Sequence, residues 1–287
     1  MKINLRYGKT ISRFAIFLAA LVMIWILWAN TALELNHVTI ESEAIPKDFS
    51  GYRIAHISDY HNTKNQRLNH TLLAYLNETE PDMIAITGDL IDSRRTDINV
   101  ALQLAEQAVK IAPCYYVPGN HESRIEEYED LKSGLESLGV EVLGNERILL
   151  KRGHDEIALI GVNDPKFMTK KLSQEEQEME RCLSGLCEDD DTYRILLSHR
   201  PELFDVYKAS KMNLIFSGHA HGGQFRLPFL GGLIAPNQGL FPKYDAGIFT
   251  EGETSMVVSR GVGNSIMPIR LNNRPEVVLV ELQGVEQ

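Results

Sequence analysis

Cysteine, tryptophan and basic residues are all in short supply in this chain. Its three cysteines, Cys114, Cys182 and Cys187, include one pair separated by four residues but no histidine nearby, which argues against a thiolate zinc site and excludes a dense disulfide framework. In an oxidising compartment Cys182 and Cys187 could bridge, while Cys114 falls in an apolar run that reads as a buried strand; in a reducing compartment all three stay thiols. Against 39 acidic residues stand 29 lysines and arginines, for a net charge of -10. A body so acidic lacks the basic face that neutralises a phosphate backbone, which argues against nucleic acid as a partner. No internal repeat or low-complexity tract is visible, so solenoid and disordered classes drop out. What remains, with 44% hydrophobic residues over 287 positions, is an ordinary folded chain with material for a sizeable core.

The charge is unevenly spread. Lys2, Arg6, Lys9 and Arg13 are the only charged residues before Glu34, so the rest of the chain carries -14, the total less these four positive charges. Behind them, Phe14 to Ala29 is an unbroken run of sixteen apolar residues, extended by Thr31, Ala32 and Leu33 to about the length of a bilayer core. Trp25 and Trp28, the only two tryptophans, lie towards its far end, where indoles favour the membrane interface. Basic residues before the span and acids after it put residues 1–13 in the cytoplasm, a single-pass anchor at 14–33 in the cell membrane, and the body on the extracytoplasmic side. A cleaved signal peptide competes with this reading, but its apolar region is normally shorter and Asn30-Thr31-Ala32 is a poor cleavage pattern. No twin-arginine pair is present, and a buried core helix fits poorly with basic flanks on one side only.

Residues 34–50 are polar and read as a linker, so the folded body is expected over 51–287. There, apolar runs of strand length alternate with segments of helical spacing. Strands are expected at 53–58, 83–87, 115–117, 147–150, 157–161, 194–198, 213–217, 247–249, 255–259 and 276–281, with helices at 68–76, 100–111 and 125–138. Such alternation predicts a layered α/β fold, with ligands beyond the carboxyl ends of the strands. Residues 228–246 form a long Gly- and Pro-rich loop holding Phe229, Phe241 and Tyr244, a length that is commonly functional.

Five short blocks lie at those strand ends: Asp59-Tyr60-His61, Gly88-Asp89, Gly119-Asn120-His121-Glu122, His199, and Gly218-His219-Ala220-His221. Five of the nine histidines fall within them. Asp59 and His61 are two residues apart, so in extended chain both face one side. A carboxylate such as Asp89 has two oxygens, enough to bridge two ions, and Asn120 offers a neutral carbonyl oxygen. Each block alone is weak. Together, rich in imidazole and carboxylate and free of thiolate, they suit two adjacent divalent ions better than one structural zinc. Paired ions in a hydrolase usually serve phosphoryl-ester chemistry.

In order and spacing, Asp59-x-His61, Gly88-Asp89-x-x-Asp92, Gly119-Asn120-His121-Glu122, His199 and Gly218-His219-x-His221 resemble the blocks of the calcineurin-like metallophosphoesterases, over residues 52–283. With its N-terminal span and Gly-rich late loop, the chain looks like the membrane-anchored bacterial branch related to UDP-2,3-diacylglucosamine hydrolases. The resemblance implies an α/β fold, a two-sheet β-sandwich flanked by helices, preceded here by one transmembrane helix. It implies a first ion on Asp59, His61 and His221, a second on Asn120, His199 and His219, and Asp89 as their bridge. The two ions could be Mn, Fe, Zn, Co or Mg, since these ligands suit several metals. It further implies a water activated between the ions, attacking phosphorus in line, with His121 as general acid and Asp92 orienting it.

Some family members carry an arginine directly after the second aspartate of Gly-Asp-x-x-Asp; here that position is Ser93, followed by Arg94 and Arg95. Substrate contacts are therefore open among Arg94, Arg124, Arg260 and Arg270, with Lys243 and Tyr244 of the long loop, and each arginine can equally be a solvated surface residue. Tyr60 reads as packing beside the metals, Glu122 as a hydrogen-bond support, and His56 as a core histidine; His37, His70 and His154 read as surface residues. Asn163-Asp164-Pro165 either lines the cleft or makes a turn. The sequence thus supports a membrane-tethered dimetal hydrolase of a phospho- or pyrophosphoester, lipid-linked or nucleotide-linked. Two alternatives remain: a catalytically silent metal-binding protein that recognises envelope components, and a nucleotide phosphodiesterase whose anchor is incidental.

Overall fold

The computed structural model describes residues 2–187, 191–264 and 269–285. It opens with a 28-residue helix, α1 (Lys2–Ala29). Within α1, Ser12–Ala29 is long and apolar enough to cross a membrane and is almost wholly unburied by the rest of the protein. Two six-stranded sheets follow, packed face to face.

The first sheet holds β1 (Glu34–Ser42), β2 (Tyr52–Ile57), β3 (Met83–Thr87), β4 (Cys114–Val117), β5 (Glu141–Val142) and β16 (Glu276–Gly284), in the order β1-β16-β2-β3-β4-β5. The second holds β6 (Glu146–Arg152), β7 (Asp155–Gly161), β8 (Arg194–Leu197), β9 (Leu214–Ser217), β14 (Gly247–Glu251) and β15 (Thr254–Val258), in the order β14-β15-β9-β8-β7-β6. Within them β2 to β5 are mutually parallel, as are β7, β8, β9 and β15, so their carboxyl ends gather at common edges.

Alternation along each strand builds three cores. Ile54, Met83 and Val117 meet Ile195, Leu214 and Phe216 between the sheets. The opposite face of the first sheet, through Ala55, Ile57, Ile84 and Ile86, packs under α2 (Gln66–Thr79), α3 (Ile98–Ala108) and α4 (Tyr128–Ser137). The outer face of the second, through Ile160, Leu196, Ile215 and Met256, packs under α5 (Glu175–Leu186) and α6 (Phe204–Ala209). This is the expected sandwich flanked by helices. His56 lies in the central core, its Nε2 2.8 Å from Thr87 Oγ1, and burial pushes its pKa down to about 3. His37, His70 and His154 are exposed. Cys114 is buried in β4, and no disulfide joins Cys182 to Cys187.

One expectation fails. Residues 34–50 are not a linker: Glu34–Ser42 is strand β1, paired in parallel along its whole length with β16. As an edge strand it turns Val38 and Ile40 to the inter-sheet core and polar side chains to water, and that half-polar pattern reads as a linker. The stretch after it is also docked, with Ile45 and Phe49 buried in the same core. Between α1 and β1 there are therefore only four residues, and no slack.

Candidate metal centre

The five blocks leave the carboxyl ends of β2, β3, β4, β8 and β9, and the parallel strands bring them to one edge of the sandwich. Each apolar strand core ends where a turn begins, and the turn aims the side chain. Five of the seven expected ligands, Asp59, His61, Asp89, His219 and His221, have φ between 47° and 66°, the left-handed region. Asp and His tolerate that region better than most residues, and such strained backbone clusters at functional sites. Glycine makes the approach possible: a Cβ on Gly218 would lie 1.8 Å from Ser58 Oγ and 2.3 Å from Asp59 Oδ2.

Each carboxylate has one oxygen tied down and one aimed inward. Asp59 Oδ2 accepts from Ser58 Oγ at 2.6 Å and His219 N at 3.0 Å. Asp59 Oδ1 lies 3.2 Å from His221 Nε2 and 3.8 Å from His61 Nε2, and those two ring nitrogens are 3.2 Å apart. Asp89 Oδ1 accepts from the His121 amide at 2.8 Å. Its Oδ2 faces both halves of the cluster, 3.7 Å from His61 Nε2 and 3.3 Å from His199 Nε2. A single oxygen of Asp89, rather than both, therefore faces the two halves. In the second half, His199 Nε2 is 3.2 Å from His219 Nδ1. His199 lies 2.7 Å from Thr87 O through Nδ1, which donates and so leaves Nε2 with its lone pair turned inward.

Donors each about 2.1 Å from one ion in a tetrahedral set stand about 3.4 Å apart. The sets Asp59/His61/His221 and Asp89/His199/His219 meet that spacing, and both are fully buried. The Asn120 amide lies beside the second. One terminus lies 2.8 Å from His219 Nδ1 and the other 3.1 Å from Arg124 Nη2. With nitrogen towards His219 it satisfies its neighbours by hydrogen bonds; with oxygen there it joins the acceptors that face the second position. The residues present therefore fit two divalent ions.

Charge is packed tightly here. Burial by itself raises the Asp59 carboxyl, but His221, the His61 hydrogen bond and His199 outweigh it and hold it well below the usual carboxylate range. Burial lowers the His199 imidazole, yet Asp89 and its hydrogen bond win and lift it to about 10. His221 goes the other way, to about 3, because burial exceeds the pull of Asp59. Two carboxylates sharing a dry site thus draw protons onto His199 and His61 while burial keeps the other rings neutral, and a cation meets the carboxylates' demand directly.

Glu122 is the support expected of it. It accepts the backbone N–H groups of Asp89 at 2.9 Å, Gly119 at 2.7 Å and Ile91 at 3.2 Å, stapling the second and third blocks together. Tyr60 is buried in packing, its hydroxyl donating to Thr63 O. His121 stands beside the cluster with Nε2 3.9 Å from Asp89 Oδ2.

Asp92 does not hold His121 as expected. Its carboxylate is clamped by Arg94 through two bonds of 2.9 and 2.8 Å and stands 3.6 Å from His121 Nδ1. Ser93 takes its place, donating its amide to Nδ1 at 3.0 Å. Ser93, at the position where some family members carry arginine, thus orients the histidine, and Arg94 is spent on Asp92. Arg270 is fully buried and gives its guanidinium to Arg260 O, Gly263 O and Asn264 Oδ1. Arg260 pairs with Glu276 and Glu34. Tyr244 is buried against Phe204 and Phe249, and Lys243 covers its ring while pairing with Glu251. These four are structural, because each has its polar atoms or ring already engaged away from the donor sets. Arg124, exposed and reaching Asn120, keeps its candidacy.

Two features had no clear sequence signal. A cleft beside His61 is lined by Asn62, Thr63, Lys64, Asp92, Arg95 and Asn264, bringing Lys64 and Arg95 to the mouth. Behind His219, buried Arg200 clamps buried Asp164, binds Glu202 at 3.1 Å and reaches His219 Nε2 at 3.3 Å. Asp164 also accepts from Lys166 N, so the Asn163-Asp164-Pro165 stretch is a turn and an ion-pair partner at once. Only the adjacency of Arg200 to His199 could have hinted at it.

A sandwich whose strand ends carry two donor sets joined through one carboxylate oxygen defines a binuclear-metal hydrolase. The chain belongs to the calcineurin-like phosphoesterase family, whose profile matches residues 52–223. It is 31% identical over 263 residues to the uncharacterized metallophosphoesterase YkuE of Bacillus subtilis, covering 88% of this chain and 86% of that one. To the phosphodiesterase YaeI of Escherichia coli it is 28% identical over 208 residues, 71% of this chain and 72% of that one. A zebrafish transmembrane protein with a metallophosphoesterase domain is 28% identical over 259 residues, 86% of this chain and 56% of its own. The chain is therefore a hydrolase of phosphoric esters with a dimetal centre.

Proposed function

We propose that the chain is a membrane-anchored phosphoesterase, its domain on the extracytoplasmic side, acting on a phospho- or pyrophosphoester carried by a lipid or a nucleotide-linked envelope precursor. The observation that carries the hydrolytic part is Asp89 Oδ2, which faces His61 and His199 at once and so joins two donor sets. In this reading Asp59, His61 and His221 hold one ion, Asn120, His199 and His219 the other, and Asp89 both. Two divalent ions held there supply Lewis acidity towards phosphoryl oxygens and an acidified water for in-line attack. Buried Asp59, Asp89 and the four rings keep bulk water out of the cluster.

His121 serves the leaving oxygen. Because its Nδ1 accepts from Ser93 N–H, the neutral ring carries its proton on Nε2, the nitrogen that faces the cluster. From there the ring, kept neutral by burial that pushes its pKa down to about 4, gives a hydrogen bond to the departing oxygen. It can pass on a whole proton only as imidazolium, protonated at Nδ1 as well, and that form requires the Ser93 amide contact to open, so Ser93 sets how readily the ring becomes the acid. Arg124, Lys64 and Arg95 stand nearest to grip phosphate or a charged head group.

The anchor reading rests on the apolar run 14–29 of α1 and on the four basic residues that precede that run within the same helix, and the zebrafish relative named as transmembrane supports it. Because one relative is named a phosphodiesterase, a diester is the first substrate to try. Full-length protein in detergent, loaded with manganese and assayed on bis-p-nitrophenyl phosphate, should turn over, lose activity to a chelator and regain it on adding metal. Monoester, diester and lipid-pyrophosphate panels then separate the substrate classes. Two bound ions with no turnover on any of them would overturn hydrolysis in favour of the silent metal-binding reading.

A further inference from the structure

Between α6 and β14 the chain makes two small hairpins, β10 (Arg226–Leu227) with β11 (Gly231–Gly232) and β12 (Ile234–Ala235) with β13 (Gly239–Leu240). Their apolar side chains point away from the protein: Phe229 is fully exposed, and Leu230, Leu240, Phe241 and Ile234 are also open to solvent. Isolated exposed leucines need no explanation, but five large apolar residues within thirteen positions of an acidic protein do.

Hydrogen bonds tie the base of these hairpins to the end of α1. Phe225 forms a parallel bridge with Leu271, Arg226 N donates to Leu271 O, and Gln224 Nε2 donates to Ile269 O. On its other side the same 269–274 segment grips the helix end. The Asn30 side chain accepts from Arg270 N at 2.7 Å and donates to Arg270 O at 2.9 Å. Arg274 donates to the carbonyls of Ala32 and Leu33 and covers the Trp28 ring at 4.9 Å. Where α1 leaves a bilayer, the hairpin base is one strand away, about 5 Å. Ile269, half exposed, lies between the two.

Charge does not oppose this. No acidic residue occurs between Asp205 and Asp245, or between Glu253 and Glu276, although the chain holds 39 of them. The basic residues beside the hairpins are paired, Arg226 with Asp245 and Lys243 with Glu251, so apolarity rather than positive charge marks the tips. Apolar tips free of carboxylates suit the interfacial region of a bilayer.

We propose that the 225–241 double hairpin is a second membrane contact, resting in the interface of the leaflet from which α1 emerges. Rigid coupling through Asn30, Arg270 and Arg274 makes the two contacts one unit, so the domain lies on the bilayer rather than swinging from a tether. Only Gly222, Gly223 and Gln224 separate candidate ligand His221 from the hairpins, and Asn273 holds His221 O at 2.7 Å. The metal edge therefore sits at head-group depth, and the substrate is an amphiphile presented by the membrane. The inference rests on α1 spanning the bilayer and not on the hydrolysis.

The test uses full-length protein in phosphatidylcholine–phosphatidylglycerol vesicles, with Cys182→Ser and Cys187→Ser so that one probe site is free. An environment-sensitive fluorophore is placed by Phe229→Cys, or by Glu253→Cys on the exposed β14–β15 turn as the water control. Both positions are exposed, so neither label disturbs packing. At position 229 the expected result is a blue shift together with quenching by spin-labelled phosphatidylcholine; at 253, neither. A label at 229 that behaves like the one at 253 overturns the proposal, and so does a blue shift without lipid quenching, which would mean a protein partner or a second copy. Vesicle flotation after an alkaline wash reads α1 separately, so protein that fails to float refutes the spanning helix. Protein that floats with the label in water refutes the hairpin contact alone.

Discussion

Replacing Gly218 by alanine adds one methyl group and should cost the protein its first ion. Gly218 has no left-handed backbone, so alanine meets no dihedral penalty and the effect is purely steric. The new Cβ would fall 1.8 Å from Ser58 Oγ and 2.3 Å from Asp59 Oδ2, whereas 3.0 Å is the floor that real contacts respect. Ser58 and the Asp59 carboxylate must therefore retreat by more than 1 Å between them. They are joined by a 2.6 Å hydrogen bond and cannot move independently. Metal ligation tolerates displacements of about 0.2 Å, and disturbing a partner of a ligand weakens metal binding roughly 10–100-fold. Overpacking should also destabilise the fold by about 1–3 kcal/mol. The measurement is metal stoichiometry after dialysis, with diester turnover over a manganese titration and a urea melt in chelator. Expected are one retained ion, a rightward shift in the manganese requirement and a modest stability loss. Gly185→Ala in α5, where a Cβ meets nothing within 4 Å, is the control and should leave all three unchanged or gain up to about 1 kcal/mol. If Gly218→Ala keeps two ions through dialysis at full turnover, the steric reasoning is wrong.

His121→Ala should retain both ions yet lose about 10²–10⁴-fold on an alkyl ester, and much less on a nitrophenyl ester, whose leaving group needs no proton; equal losses on the two esters, or loss of metal, would remove His121 from the leaving-group role. Asp164→Asn removes the carboxylate that clamps buried Arg200 and leaves it Glu202 at 3.1 Å and Glu175 at 3.9 Å. In urea denaturation it should therefore cost less than the roughly 3–5 kcal/mol of a wholly unpaired buried charge, whereas Arg200→Met, which takes the cation from all three acids, should cost more than Asp164→Asn; an Arg200→Met variant as stable as the parent would show that the cluster is not dry. Asp89 holds the His199 pKa above its ordinary 6.5, at about 10, despite burial. A raised folded pKa means that this stabilisation is complete below pH 6.5 and fades as pH climbs towards 10. A metal ion needs the neutral ring, so it competes with that proton. The melting-temperature gap between manganese-loaded and chelator-treated protein should therefore widen from pH 6.5 upward, and a gap constant across that range would refute the coupling.

The candidate donor residues that the fold brings together were legible because of where they lie. A run such as Ile195-Leu196-Leu197 that gives way to Ser198-His199, or Ile84-Ala85-Ile86 to Gly88-Asp89, switches from core to chemistry within two or three residues. Only a strand end allows that without stranding a polar group inside. β1 was hidden for the opposite reason. Its periodicity is real, but one face is wet at His37, Thr39 and Glu41, and the core-facing positions begin with polar Glu34 and Asn36, so the alternation looks like a tether. The arginines were illegible in principle. Arg270, saturated by two carbonyls and an amide, and Arg94, folded back on Asp92, differ from substrate-gripping arginines only in rotamer and neighbours. Spacing records neither. Ser93 shows the same limit, since it acts on His121 through its backbone amide, a group every residue but proline possesses.

Backbone strain links the site back to the fold. Five candidate ligands are held at positive φ, and two buried carboxylates lie within one cluster of rings. Residues in such sparsely populated conformations cost of order 1–3 kcal/mol each, at the low end for Asp and His, and persist only where surroundings over-determine them. Glu122, with three backbone N–H groups on one carboxylate, and Asn273, gripping His221 O, supply part of that constraint. Cations supply the rest, because they turn mutual repulsion between Asp59 and Asp89 into shared attraction. Chelation should therefore loosen the strand ends before the sandwich core, which is dry and far less dependent on charge. Hydrogen exchange that rises first at residues 59–62, 89–92 and 219–224, with the inter-sheet core still protected, is the pattern this requires; uniform loosening would mean that the ions hold the whole fold rather than its functional edge.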